Sequence, residues 1–259
     1  MSTLKRIFVV AVIFGSFSLT SCSKENTLAN DMMEDAEAIL KSSDFGFNFN
    51  PQDTLCSQEF PLEDLNEVEI KALNQMREEE FLARDIYLQA YELYQYRIFE
   101  QIAKSEERHA GAVKSLLDRY GLSDPAQDHE VGIFTSDAIQ ALHDLLLSQV
   151  MISGVEALKA GASIEDVDIF DLKDLLSSGI DNQDITFVFG NLIKGSENHL
   201  RAFMRVLSSQ GETYAPQFIS QEEFDEIMAS SRNGQNAKQK KSGQGNKGGK
   251  GKRNGKRNR

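Results

Sequence analysis

The chain of 259 residues has only two cysteines, Cys22 and Cys56, too few for a disulfide framework. No segment alternates polar and apolar residues long enough to be a convincing strand, which argues against a β architecture. The apolar run Ile7 to Phe14 is too short to span a bilayer as a helix. Residues 232–259 contain no acid, no aromatic residue and no aliphatic side chain larger than Ala237. Such a segment cannot bury a core, and it lacks the rings on which bases stack, so sequence-specific nucleic-acid recognition is excluded there.

The two ends read as accessories. Lys5 and Arg6, the apolar run, and Leu19-Thr20-Ser21-Cys22 form the three parts of a secretory signal over residues 1–22. Leu19 to Cys22 resembles a bacterial lipobox, and polar Ser23 to Asn26 follow at once. This predicts acylation of Cys22, membrane attachment through that lipid, and residence in a bacterial cell envelope on the periplasmic or surface face. Cys56 is then a lone thiol with no partner.

Residues 23–60 read as a tether with a short helical stretch at Asn30 to Lys41, and Phe45 to Pro51 read as coil. Residues 61–231 form the helical domain, and 232–259 a disordered basic tail. Of the 28 bases, two fall in the leader and 11 in the tail, leaving 15 against all 40 acids, a net charge of −25 on residues 23–231. A strongly acidic body therefore carries a basic tail suited to anionic polymers, to lipid head groups, or to the body itself.

From Pro61 the apolar period is that of a helix. Leu65, Val68, Ala72, Met76, Ala83, Tyr87, Ala90 and Tyr94 predict a first helix from Leu62 to Tyr94. The spacing predicts further helices from Arg97 to Tyr120, from a cap at Thr135 or Ser136 to Met151, from Val155 to Leu176 after a break at Gly154, and from Asp184 to Ser209. A short helix from Gln221 to Ala229 follows. The expected fold class is all-α, a bundle of four main helices with shorter accessories.

Charged residues inside apolar stripes carry the functional signal, because a buried charge must be paired, protonated or metal-bound. Glu80 falls on the inner stripe of the first helix, Glu106 and His109 on the second, Glu165 on the next main helix, and Ser196 and His199 on the last. Glu106 and His109 lie three apart on one helix face, where both can hold one cation. About 90 residues later the segment recurs with serine in place of the glutamate. Glu78 and Glu79 read as a solvated acidic face. Arg84 and Arg201 read as structural partners for the acids, and His129 and His143 as surface or second-layer residues. Tyr87, Tyr91, Tyr94 and Tyr96 read as core and rim aromatics.

Glu80-Phe81-Leu82-Ala83-Arg84-Asp85-Ile86-Tyr87 resembles the first-helix motif of rubrerythrin, and Ile102-Ala103 with Glu106 and His109-Ala110 resembles its second. The run from Met76 to Phe203 more closely resembles a bacterial ferritin-like family known only as domain of unknown function family 2202. The resemblance implies a ferritin-like four-helix bundle with a metal site at Glu80, Glu106, His109, Glu165 and His199, holding iron, zinc or manganese. In a redox-active form such a site handles oxygen or peroxide, and bundles of this type often dimerise. Ser196 stands where the sixth ligand is expected, and Glu197 lies about 100° round the helix from it. Asp168, one turn after Glu165, is a candidate replacement. One metal, an asymmetric pair, or a non-catalytic scaffold with a hydrogen-bonded core remnant all fit the sequence.

Overall fold

The computed structural model describes residues 60–230. The leader with Cys22, the stretch at Asn30 to Lys41, the coil at Phe45 to Pro51, Cys56 and the basic tail lie outside the described residues. Five long helices form the main body: α1 (Glu67–Tyr94), α2 (Arg97–Arg119), α3 (Asp137–Val150), α4 (Gly154–Ser177) and α5 (Gln183–Ser209). A further helix at 221–230 belongs to a second unit that begins at Gln221. No strand occurs among the described residues.

Each start has a local cause. α1 begins at Glu67 rather than Leu62, because Asn66 caps it: its side chain accepts from the Val68 and Glu69 amides, while Glu69 accepts from the Asn66 amide. That reciprocal pair turns Glu69 inward and leaves Val68, assigned to the inner face by its spacing, exposed. Ser136 caps α3 and Ser153 caps α4. Gly154 does more than break the chain, since a Cβ there would lie 2.7 Å from the Tyr96 hydroxyl.

The bundle is two helical hairpins set face to face. α1 packs along α2 and α4 along α5, each pair joined by a short turn, while α2 meets α5 and α1 meets α4. The long crossover between the hairpins carries α3, which lies against α1 and α4. One end of the core is aliphatic, with Leu73, Met76, Val113, Leu117, Leu172, Val188 and Leu192 fully buried. The other is aromatic, where Tyr87, Phe99 and Phe203 stack within 5.4–6.3 Å of one another. Each such side chain contributes about 1.5–3 kcal/mol by leaving water.

Many of the acids are inside as well. Glu78, Glu79 and Glu80 are only 8%, 6% and 2% exposed, so the solvated acidic face expected around them does not exist. Glu78 accepts the Thr135 and Ser136 amides at the start of α3, at 2.9 and 3.1 Å. Asp166 collects the Tyr214 hydroxyl and the amides of Gln217, Phe218 and Ile219. Glu69 takes the amides of Asp181 and Asn182 at the turn before α5. In these places a carboxylate ties one element to another by satisfying exposed backbone donors, which makes its burial tolerable.

Candidate metal centre

At mid-bundle the four main helices each bring at least one of the expected groups to a single level. α1 supplies Glu80, α2 supplies Glu106 and His109, α4 supplies Glu165, and α5 supplies His199; all five are buried. Glu106 is the centre of the arrangement. Its Oε2 lies 2.7 Å from Nδ1 of His109, and its Oε1 lies 2.8 Å from Nδ1 of His199. Glu80 Oε2 approaches the same nitrogen of His109 at 3.3 Å, and Glu165 Oε2 approaches that of His199 at 3.3 Å. The two imidazole rings stack with centroids 5.4 Å apart.

The result is two matching triads that share one carboxylate. Each has a terminal glutamate, a histidine Nδ1 and one oxygen of Glu106. Glu106, His109 and His199 offer ligand atoms all within 4.8 Å of one another, so this buried group can hold a metal ion. Glu80 Oε2, Glu106 Oε1, Glu165 Oε2 and both Nδ1 atoms make no well-formed hydrogen bond. Buried polar atoms are rarely left so, although here each imidazole nitrogen still faces carboxylate oxygens at 2.7–3.3 Å.

Over residues 69–231 the chain matches a family described as an uncharacterized protein domain, DUF2202. The chain belongs to that family. It is 46% identical over 171 residues to the uncharacterized protein MJ0754 of Methanocaldococcus jannaschii, across 66% of this chain and 92% of that protein. The crystal structure of hypothetical protein MJ0754 from Methanococcus jannaschii resembles it with a TM-score of 0.65 at 45% identity, covering 66% of this chain and 98% of that one.

The electrostatics of the central site follow from its geometry. Burial opposes ionisation of Glu106, yet His199 and His109 together hold its carboxyl below the usual carboxylate range. Burial likewise disfavours charged histidine, but Glu106 and Glu165 push His199 up to about 9, and Glu106 and Glu80 raise His109 well above its ordinary value. Glu80 is pushed up to about 7 by burial, with His109 pulling the other way. Without metal, protons on the imidazoles hold the carboxylates together.

The sixth position does not contribute. Ser196 is buried, and its hydroxyl donates to the Leu192 carbonyl of its own helix at 3.2 Å. Asp168, the candidate replacement, is buried on α4. Its neighbours are other acids, and after burial the charges of Glu165 and Glu80 do most to hold its carboxyl well above the usual range. Glu197 lies off the site, 3.9 Å from Arg201.

Other expectations become more specific. Arg84 and Arg201 do partner acids, but the acids are Asp85 and Glu107 for Arg84 and Glu197 for Arg201, which also bonds Asn198. Of the two positions expected for His129, surface or second layer, it takes the second: its ring bonds fully buried Asp85 at 2.8 Å and stacks on Phe81. Tyr87 is more than a core aromatic, because its hydroxyl donates to Glu165 Oε1 at 2.6 Å and turns that carboxylate's other oxygen toward His199. Gly195 also escaped notice. An ideal Cβ there would lie 2.6 Å from the His109 ring, so only glycine leaves that imidazole its place. The signal was present in the Gly195-Ser196 pair, two small residues one turn before His199.

Proposed function

We propose that this domain holds two metal ions, one in each triad, with Glu106 shared between them. Iron, zinc and manganese each accept imidazole or carboxylate donors, and iron is the ion we propose. The observation that carries this reading is the convergence of five buried atoms without hydrogen bonds. Glu80, Glu106 and Glu165 with His109 and His199 would hold the metal, their facing nitrogen and oxygen atoms lying 2.7 to 3.3 Å apart.

An iron pair would supply electron exchange with oxygen or peroxide. The chain's own part is to fix the donors. Tyr87 locks one oxygen of Glu165, Gly195 makes room for His109, and the serine at 196 withdraws to its own helix, leaving one side of the site less crowded with ligands. A lipid on Cys22 would hold the protein at a bacterial envelope membrane, with the 11 cations of the tail reaching anionic polymers or head groups.

Elemental analysis of the exported chain, purified without chelator, tests the reading. About two metal ions per chain are expected, falling sharply in the Glu106→Gln/His109→Gln double variant while the far-ultraviolet helical signal stays. Absence of stoichiometric metal, together with failure to load any, would sink it. The same outcome would favour a metal-free scaffold, for which the close contacts of Glu106 with both imidazoles are the supporting observation.

A further inference from the structure

A second cavity lies beside the central site and is lined with carboxylates that the metal reading does not use. It measures about 680 Å³ and opens between α1, α3, α4 and the segment 213–218. Glu79 reaches it from α1, and Asp168 and Asp171 from successive turns of α4. Leu82, Leu142, Leu145 and Val167 give it an apolar wall.

Glu79 is the informative residue. It is 6% exposed, and although one oxygen accepts from Gln75 at 2.8 Å, Oε2 accepts no hydrogen bond. A buried carboxylate oxygen without a donor is suited to a cation that arrives from outside. The one base on the wall, Lys159, is already held by Glu156 at 3.2 Å and Glu212 at 3.1 Å. The cavity therefore selects for positive charge.

A bare metal ion does not suit it. Chelation needs several ligand atoms within reach of one ion, and Glu79, Asp168 and Asp171 do not form such a group. Separated carboxylates beside a leucine wall, in a volume typical of small-molecule sites, fit an organic cation instead. We propose that this cavity binds an organic ammonium compound, its ammonium at Glu79, in the negative field of Asp168 and Asp171, and its hydrocarbon body against Leu82, Leu142 and Leu145. Binding does not require metal in the neighbouring site, so it stands or falls separately from the metal reading.

Hexylammonium serves as the probe, titrated into the full exported chain in metal-free form and followed by nuclear magnetic resonance. Saturable binding at one site is expected, with Kd on the order of 1 mM or tighter, and with hexanol and hexanoate at least about tenfold weaker. Glu79→Gln should weaken hexylammonium about tenfold. Leu145→Lys, at an exposed position on the apolar wall, should do the same without disturbing the core. Equal binding of hexanol would reduce the cavity to an apolar groove and overturn the proposal. So would absence of binding, unchanged affinity in the Leu145→Lys protein, or displacement of hexylammonium by magnesium at equal concentration.

Discussion

Gly195 shows how far one missing methyl group reaches. The His109 ring fills the space a side chain would take, so Gly195→Ala must move that ring or the helix that carries residue 195. Overpacking of this kind costs about 1–3 kcal/mol, and it should displace Nδ1 from both Glu80 and Glu106. We expect metal affinity to fall at least about tenfold in a metal titration, with a lower melting temperature. Gly190 on the same helix is the matched control. Nothing lies within 4 Å of a Cβ there, so Gly190→Ala should leave metal binding intact and stabilise the helix by up to about 1 kcal/mol. If the two variants bind metal equally, His109 is not held as described. Tyr87→Phe asks a smaller question, because it removes one hydroxyl from Glu165 and keeps the ring. Loss of about 1 kcal/mol of stability is expected, with the His199 triad losing metal before the His109 triad.

At the scale of elements, α1 works through its acids as much as through its apolar stripe. Glu78 holds the start of α3, Arg77 pairs with Asp124 at 2.9 Å, and Asp85 holds the middle of the crossover through His129 and the Gly132 amide at 2.8 and 2.7 Å. Burial works against the Asp85 charge, but His129, the Gly132 amide and Arg84 outweigh it and lower its pKa below the ordinary 3.8. A lowered carboxyl stabilises the fold fully above its unfolded value, and that stability is lost as pH falls through the folded one. Asp85→Asn should therefore destabilise at pH 7 by about 1–3 kcal/mol, and its melting temperature should approach that of the parent as pH drops below 3.8. A deficit of the same size at pH 7 and pH 3 would show that the charge is not what matters. The helices themselves were legible from apolar period and caps: α2 to α5 begin and end within a residue or so of their expected bounds. The start of α1 was not, because the apolar spacing continues back to Leu65 and Leu62 beyond the reciprocal cap of Asn66 and Glu69. Glu80, Glu106, His109, Glu165 and His199 were legible because polar groups interrupt an apolar stripe. Glu78, Asp85 and Asp166 were not, because their amide donors lie 47 to 58 residues away in segments without periodicity.

Across the whole molecule, the two hairpins enclose a site in which, on the function proposed above, metal ions would compete with protons for the same atoms. With no metal, His199 stays protonated up to about 9, against an ordinary value of 6.5. A raised histidine stabilises the fold fully below its unfolded pKa, and the contribution disappears as pH rises through the folded value. The metal-free protein should therefore lose stability between about pH 6.5 and 9. Metal binding needs the neutral imidazole and the ionised Glu80, whose proton leaves near 7, so loading must release protons. Apparent affinity should rise about tenfold per pH unit for each proton displaced. The two trends oppose each other, and the melting temperatures of loaded and metal-free protein should separate as pH increases from 6 to 8.5. At free metal one hundred times Kd, the loaded form gains about 2.7 kcal/mol. Calorimetric titration in two buffers of different ionisation enthalpy measures the released protons directly. Metal affinity that does not change with pH, with no protons released, would show that ions bind somewhere other than on the histidines shared by Glu106.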